Sequence, residues 1–150
     1  MPLVEIETVI QADVKACFDL ARNIDFHQDS LKYTKEKAVA GRTSGLIELG
    51  ESVTWEAVHF GVKQQLTSRI TEFDAPNYFV DEMVSGPFKS FRHEHHFSSI
   101  KNETIMTDYF YFKSPYGIFG QLVNKLFLKR YMTKLLNTRN LHLKNIAERK

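Results

Sequence analysis

Hydrophobic and polar residues alternate along Leu3 to Ile10, with Val4, Ile6, Thr8 and Ile10 on one side and Leu3, Glu5, Glu7 and Val9 on the other. A period of two predicts a strand. After Gln11 and Ala12 the period changes. Asp13 stands where an N-cap belongs, and Val14, Cys17, Phe18 and Ala21 recur at helical spacing as far as about Asn23. A second short helix is expected over Asp25 to Leu31. From Lys35 the strand pattern returns. Lys35 to Gly41, Glu51 to Phe60, Val62 to Phe73, Tyr78 to Ser85, Lys89 to Ser98 and Glu103 to Lys113 are six runs separated by turn-forming breaks. Short breaks favour antiparallel neighbours.

Ser114, Pro115, Tyr116 and Gly117 end the last run, and Ile118 to Glu148 then holds no proline and one glycine, Gly120, which predicts a long helix. Leu128, Met132, Leu135, Leu143 and Ile146 form one stripe, whereas Phe119, Val123 and Leu126 fall nearly opposite it. A kink, a short lead-in helix or burial on two sides would account for that change. The element order predicts a single α+β domain over residues 1–150. In it a curved seven-stranded antiparallel sheet wraps a long C-terminal helix, with two short helices after strand one. Such an arrangement can enclose a cavity.

Composition sharpens this picture in three places. Twelve Phe, six Tyr and one Trp are many rings for 150 residues, so either the core is aromatic or a cavity is lined with rings. The lone cysteine, Cys17, excludes an internal disulfide and a multi-cysteine metal site, and its place on the inner face of the first helix predicts an inert thiol. Acids at Glu5 and Glu7 do not suit a signal peptide and no run of eighteen apolar residues occurs, so a cytoplasmic protein is expected.

The net charge of +2 hides an asymmetry: from Gly117 onward Glu148 is the one acid, and the preceding body is acidic. Lys125, Lys129, Arg130, Lys134, Arg139, Lys144 and Arg149, with Phe127, Leu128 and Tyr131, read first as the solvated face of a helix and second as a surface for anionic lipid. Nucleic acid is not expected, because the body is acidic and no matching motif occurs. Gly41, Gly45 and Gly50 form no phosphate loop, since no Gly-Lys-Ser/Thr follows.

With the element order in hand, further stretches carry a resemblance. Gly50 to Ala57 (GESVTWEA), His59 to Val62 (HFGV), His93-Glu94-His95 followed by Phe97, Thr104 to Asp108 (TIMTD), and Pro115-Tyr116-Gly117 leading to Leu126 to Tyr131 resemble the START and birch-pollen-allergen-like superfamily, also called SRPBCC. They are similar to its bacterial ligand-binding branch near the polyketide cyclase/dehydrases and the group associated with carbon monoxide dehydrogenase. The resemblance covers the whole chain and implies a helix-grip fold and a cavity for a hydrophobic ligand.

Three of the six histidines stand together in His93-Glu94-His95-His96. On a strand, Phe91, His93, His95 and Phe97 share one face, and Arg92, Glu94, His96 and Ser98 the other. The apolar partners place the first set inward, so the four residues are not one cluster. The spacing is not that of the helical zinc-protease motif either. A four-residue turn over Ser99 to Asn102 predicts Phe97 opposite Thr104, His95 opposite Met106, His93 opposite Asp108 and Phe91 opposite Phe110. Asp108 would then orient the His93 ring or hold its charge. His59, inward with Val53, Trp55 and Ala57, belongs to a strand three positions away in the helix-grip order, about 14 Å at 4.7 to 4.9 Å per strand. That is too far for a shared metal.

The expected function is binding or carriage of a small hydrophobic molecule between sheet and C-terminal helix. Trp55, Met83, Phe91, Phe110 and Phe127 would supply the apolar wall, and His59, His93, His95 and Asp108 a polar end. One alternative is a cyclase/aromatase- or hydratase-like enzyme in which His93 and Asp108 move protons. Another is a lipid carrier or membrane-peripheral adaptor using the basic helix. No metal or cofactor is expected.

Overall fold

The carboxylate of Asp13 accepts a hydrogen bond from the Ala16 amide at 2.7 Å, and the side-chain carbonyl of Asn23 accepts one from the Phe26 amide at 3.0 Å. These two caps start the short helices α1 (Val14–Ala21) and α2 (Ile24–Ser30), which follow the first strand, β1 (Leu3–Ile10). The structure, a computed structural model, describes residues 3–59, 61–113 and 118–149, with side chains described from 127 onward in the last segment. A 3₁₀ turn over Lys32–Thr34 leads into the remaining strands: β2 (Lys37–Gly41), β3 (Ser52–His59), β4 (Val62–Asp74), β5 (Tyr78–Ser85), β6 (Ser90–Ile100) and β7 (Glu103–Lys113). Helix α3 (Ile118–Ala147) completes the chain as one run of 30 residues. Phe60 and Ser114 to Gly117 lie outside the described residues, as do the side chains of Phe119, Val123, Lys125 and Leu126.

All seven strands join one antiparallel sheet in the order β1-β7-β6-β5-β4-β3-β2. Register shifts between Ala38 and Ala40, between Thr67 and Ser68, and between Ile70 and Glu72 bend it. The expected α+β helix-grip architecture is therefore present. At the β2–β3 end, Gly41 has a φ of 73°, and a Cβ there would stand 2.3 Å from the Ser52 carbonyl oxygen, so glycine alone fits.

The β6–β7 pairing corrects the expected register. Strand β6 runs on to Ile100, which pairs with Glu103, and the turn is the two residues Lys101 and Asn102, with Lys101 in the left-handed region at φ 56°. Phe97 therefore faces Met106, His95 faces Asp108, His93 faces Phe110 and Phe91 faces Phe112. The turn is shorter by an even number of residues, so every pair moves while the inward face stays the same. Burial follows: Phe91, His93, His95 and Phe97 are buried, and Arg92, Glu94 and His96 are not. On the outer face Arg92 reaches Glu72, Glu82 and Glu94, a half-buried network at the surface of modest net stabilising value.

The core has two apolar clusters. One gathers Ile10, Cys17, Phe18, Trp55, Phe79, Phe97, Met106 and Leu143 under α1 and α2; the other gathers Val4, Phe91, Phe110, Phe112 and Leu136. Each of three elements crosses from one cluster to the other through polar residues. Strand β6 does so at His93 and His95, β7 at Asp108, and α3 at Arg139 and Asn140. A polar belt thus lies between two apolar halves.

Candidate functional site

Asp108 is the centre of that belt and is fully buried. Its Oδ1 accepts from His93 Nε2 at 2.8 Å and from Arg139 Nη2 at 2.8 Å, and its Oδ2 accepts from Asn140 Nδ2 at 2.8 Å. Arg139 also donates to the Asn140 side-chain oxygen through Nε and Nη2. An arginine in the middle of a core needs this many acceptors, because an unpaired buried charge costs several kcal/mol. Arg139 is 2% exposed, so it leaves the basic outer face on which its charge had placed it.

His95 lies against His93, and Asp108 stands close to both rings. The two rings stack with centroids 3.7 Å apart, and Phe79 stacks on the far face of His95 at 4.1 Å. His95 Nε2 pairs with Asp81 Oδ1 at 2.8 Å. Its Nδ1 is 3.3 Å from Asp108 Oδ1 but off the hydrogen-bond direction. Among the described residues it is the one buried side-chain nitrogen or oxygen without a hydrogen bond. Asp81, which sequence reasoning missed, comes from β5 directly opposite His93 and also places Oδ1 4.0 Å from His93 Nδ1. Its signal was an acid at an inward position of a strand, two residues after Phe79.

The two histidines are driven apart electrostatically. Burial, and then the charge of His95, pulls His93 down to about 4 against the attraction of Asp108 and Asp81. Burial opposes charge on His95 as well, but Asp108 and Asp81 outweigh it and hold its pKa above the ordinary value. Burial likewise pushes both carboxylates up and is overcome. Asp108 is held well below the usual range by Arg139 first and then the histidines, and Asp81 is held below it by His95 first.

A cavity of about 430 Å³ opens between the inner sheet face and α3. Trp55, Leu66, Phe91, Phe110 and Leu128 are among its apolar walls, and Asp81, His93, His95 and Arg139 give it a polar region. Phe127 also lines it while remaining 55% exposed, at the outer side. Two of the expected residues are absent from the lining. Met83 packs beside Leu66 in the second apolar cluster, and Asp108 stands behind His93. His59 is a separate polar point, where Nδ1 hydrogen-bonds the Tyr131 hydroxyl and burial lowers its pKa. Tyr131 precedes Arg139 by eight helical residues, about 12 Å along α3. Near it His27 Nε2 meets Glu36 Oε1 at 2.8 Å over the Trp55 ring.

The depressed His93 predicts a sign for stability against pH. Asp81 from β5, Asp108 from β7, Arg139 from α3 and the stacked His95 all face that ring. The folded chain keeps His93 neutral down to about 4, whereas the unfolded chain protonates it below 6.5, so unfolding takes up a proton in that window. Stability should fall on acidification between these values, by about 3 kcal/mol for this group. His95 acts with the opposite sign: its contribution is complete below 6.5 and is lost as pH rises through its elevated folded value. The depressed carboxylates add losses below about 3.8. Urea unfolding in chelator-containing buffer at several pH values checks this, with His93→Gln expected to flatten the slope between 6.5 and 4. An equally steep slope in the variant would refute the assignment.

Comparison with known proteins places the fold. No protein-family model and no curated protein matches the chain. Solved structures do match. The Thermus thermophilus protein TTHA0849 superposes with a TM-score of 0.74 at 21% identity, over 98% of this chain and 100% of that one. A START superfamily protein from Mycobacterium smegmatis gives 0.73 at 8% identity, over 99% and 98%. Major latex-like protein 151 from Panax ginseng gives 0.63 at 14% identity, over 98% and 97%. Among the described residues no helix is long and apolar enough to cross a membrane. Sheet order, gripped helix and these full-length superpositions together establish that the chain has the helix-grip fold of the START and birch-pollen-allergen-like superfamily.

Proposed function

We propose that this chain binds and carries a small, largely apolar molecule whose polar end meets the Asp81, His93 and His95 side of the cavity. The observation that carries the reading is the cavity itself: about 430 Å³ falls within the roughly 300 to 1,000 Å³ of small-molecule sites, and its walls are mainly apolar with a few convergent polar groups. Trp55, Phe91, Phe110 and Phe127 contact the apolar body of the ligand. Asp81 and His95 orient its polar end, while Asp108 acts through His93.

The alternatives draw less support. An acid/base enzyme would need His93 to exchange protons with a substrate, yet its Nε2 is committed to Asp108 and its Nδ1 faces Asp81. A lipid-facing helix loses Arg139 to the core and Lys144 to the Val9 carbonyl and Glu148.

Trp55, the one tryptophan of the chain, is 8% exposed and lines the cavity, so it reports on occupancy. Titration with anilinonaphthalene sulfonate should give saturable one-to-one binding with energy transfer from Trp55. Ala57→Leu, which narrows the same cavity, should weaken it at least tenfold. Non-saturable binding, together with a native mass equal to the bare chain for protein taken gently from its source cells, would overturn carriage.

A further inference from the structure

We propose that Asp81, His93 and His95 form a binding site for one divalent transition-metal ion of the zinc type, open toward the cavity. Each offers one ligand atom, and these atoms all lie within 4.8 Å of one another. All three side chains line the cavity, so an ion has a route in and a free coordination position facing a bound molecule. Two imidazole nitrogens and a carboxylate are donors that zinc and its neighbours accept, and three protein ligands with one open position is the arrangement of a reactive site.

The His93 tautomer is already set for such an ion, and His95 reaches the matching one when the ion displaces the hydrogen that its Nε2 now donates to Asp81. A histidine ligates through a lone pair, and the other ring nitrogen then carries hydrogen and needs an acceptor. Asp108 Oδ1 supplies that acceptor for both rings: it takes the hydrogen of His93 Nε2 at 2.8 Å and faces His95 Nδ1 at 3.3 Å. The lone pairs then fall on His93 Nδ1 and His95 Nε2, and both face Asp81 Oδ1, at 4.0 and 2.8 Å. In a tetrahedral shell with bonds of about 2.1 Å, ligand atoms stand roughly 3.4 Å apart. The two separations from Asp81 bracket that value and no two of the ligand atoms stand more than 4.8 Å apart, so side-chain shifts of about an ångström bring the three atoms into one shell.

Two further observations suit the same site. His95 Nδ1 is buried without a hydrogen bond, so a small turn of the ring that carries Nε2 to a metal and Nδ1 onto Asp108 breaks nothing at that nitrogen. Asp108 itself is held by Arg139 and Asn140 and so stays behind the site as its fixed support. His59, engaged with Tyr131 three strands away, takes no part.

The test uses the full chain stripped with a chelator and titrated with cobalt(II), followed by displacement with zinc(II). The expected result is one ion per chain, with the visible absorption of tetrahedral cobalt. Asp81→Asn, a near-isosteric change at a partly exposed residue, should weaken binding at least tenfold, and so should His95→Gln. Asp108→Asn should retain one ion at roughly 10- to 100-fold lower affinity. His96→Ala, on the outer face, should change nothing. Circular dichroism establishes that each variant is folded. No stoichiometric binding at micromolar free metal would overturn the proposal. So would an affinity that Asp81→Asn leaves unchanged in folded protein, since the ion would then sit elsewhere.

Discussion

Replacing Asp108 with alanine is expected to cost the protein about 3 to 5 kcal/mol, the range for breaking a buried ion pair from one side. The substitution leaves Arg139, 2% exposed, without its carboxylate, and strips acceptors from His93 and Asn140. Against a total stability of roughly 5 to 15 kcal/mol, a loss of that size brings the chain close to unfolding at ambient temperature. The cause is the stranded charge, so removing Arg139 as well should recover much of the loss. Asp108→Ala combined with Arg139→Met should be more stable than Asp108→Ala alone. Urea denaturation of the two singles and the double measures this coupling. A loss below about 1 kcal/mol for Asp108→Ala, or a double variant worse than both singles, would show that the belt is not organised around this carboxylate.

The second large effect lies in the apolar half behind His95. Phe18 is 1% exposed and meets the edges of Phe73, Phe79 and Phe97, each with ring centroids 5.4 Å away, while the Arg22 guanidinium stands over its face. Phe18→Ala removes a ring that no neighbour can replace without leaving its own stack, and should cost about 3 to 5 kcal/mol. Phe79 links this cluster to His95, so the hole should also loosen the histidine stack. In NMR spectra of the variant the His95 ring resonances should shift, whereas those of His59, across the sheet at Tyr131, should not. Loss of less than about 1.5 kcal/mol would mean that α1 closes over the hole.

Most of the strands were legible because alternation survives in their text: β6 and β7 read inward and outward residue by residue, as they are buried. What local pattern does not encode is the length of a turn. Ser99 and Ile100 could be read as loop, and they pair instead, which moved His95 rather than His93 opposite Asp108. Asp81 was visible as an inward acid, but its meeting with His93 depends on how β5 registers against β6, through a connection that contains Gly86 and Pro87. Arg139 was misplaced for a different reason. It falls on the helical stripe of Leu135 and Leu143, and its charge was given more weight than its position. On that stripe an arginine is a statement about a buried carboxylate facing it.

The sheet order has a consequence for the birth of the protein. The strand made first, β1, has one partner, β7: Ile10 pairs with Thr104 and Leu3 with Tyr111. On a ribosome that emits the chain from its N-terminus, β1 must wait through nearly a hundred residues of synthesis before its hydrogen-bonding neighbour exists. Strands β2 to β6 can meanwhile pair as a meander, β3 to β6 each with the strand just before it. Closing the loop between β1 and β7 is the entropically expensive, non-local step, which places this fold among slow rather than rapid folders. Until then the apolar face of Val4, Ile6 and Ile10 is open to other nascent chains, and a chaperone that shields it would act at the strand made earliest and seated last.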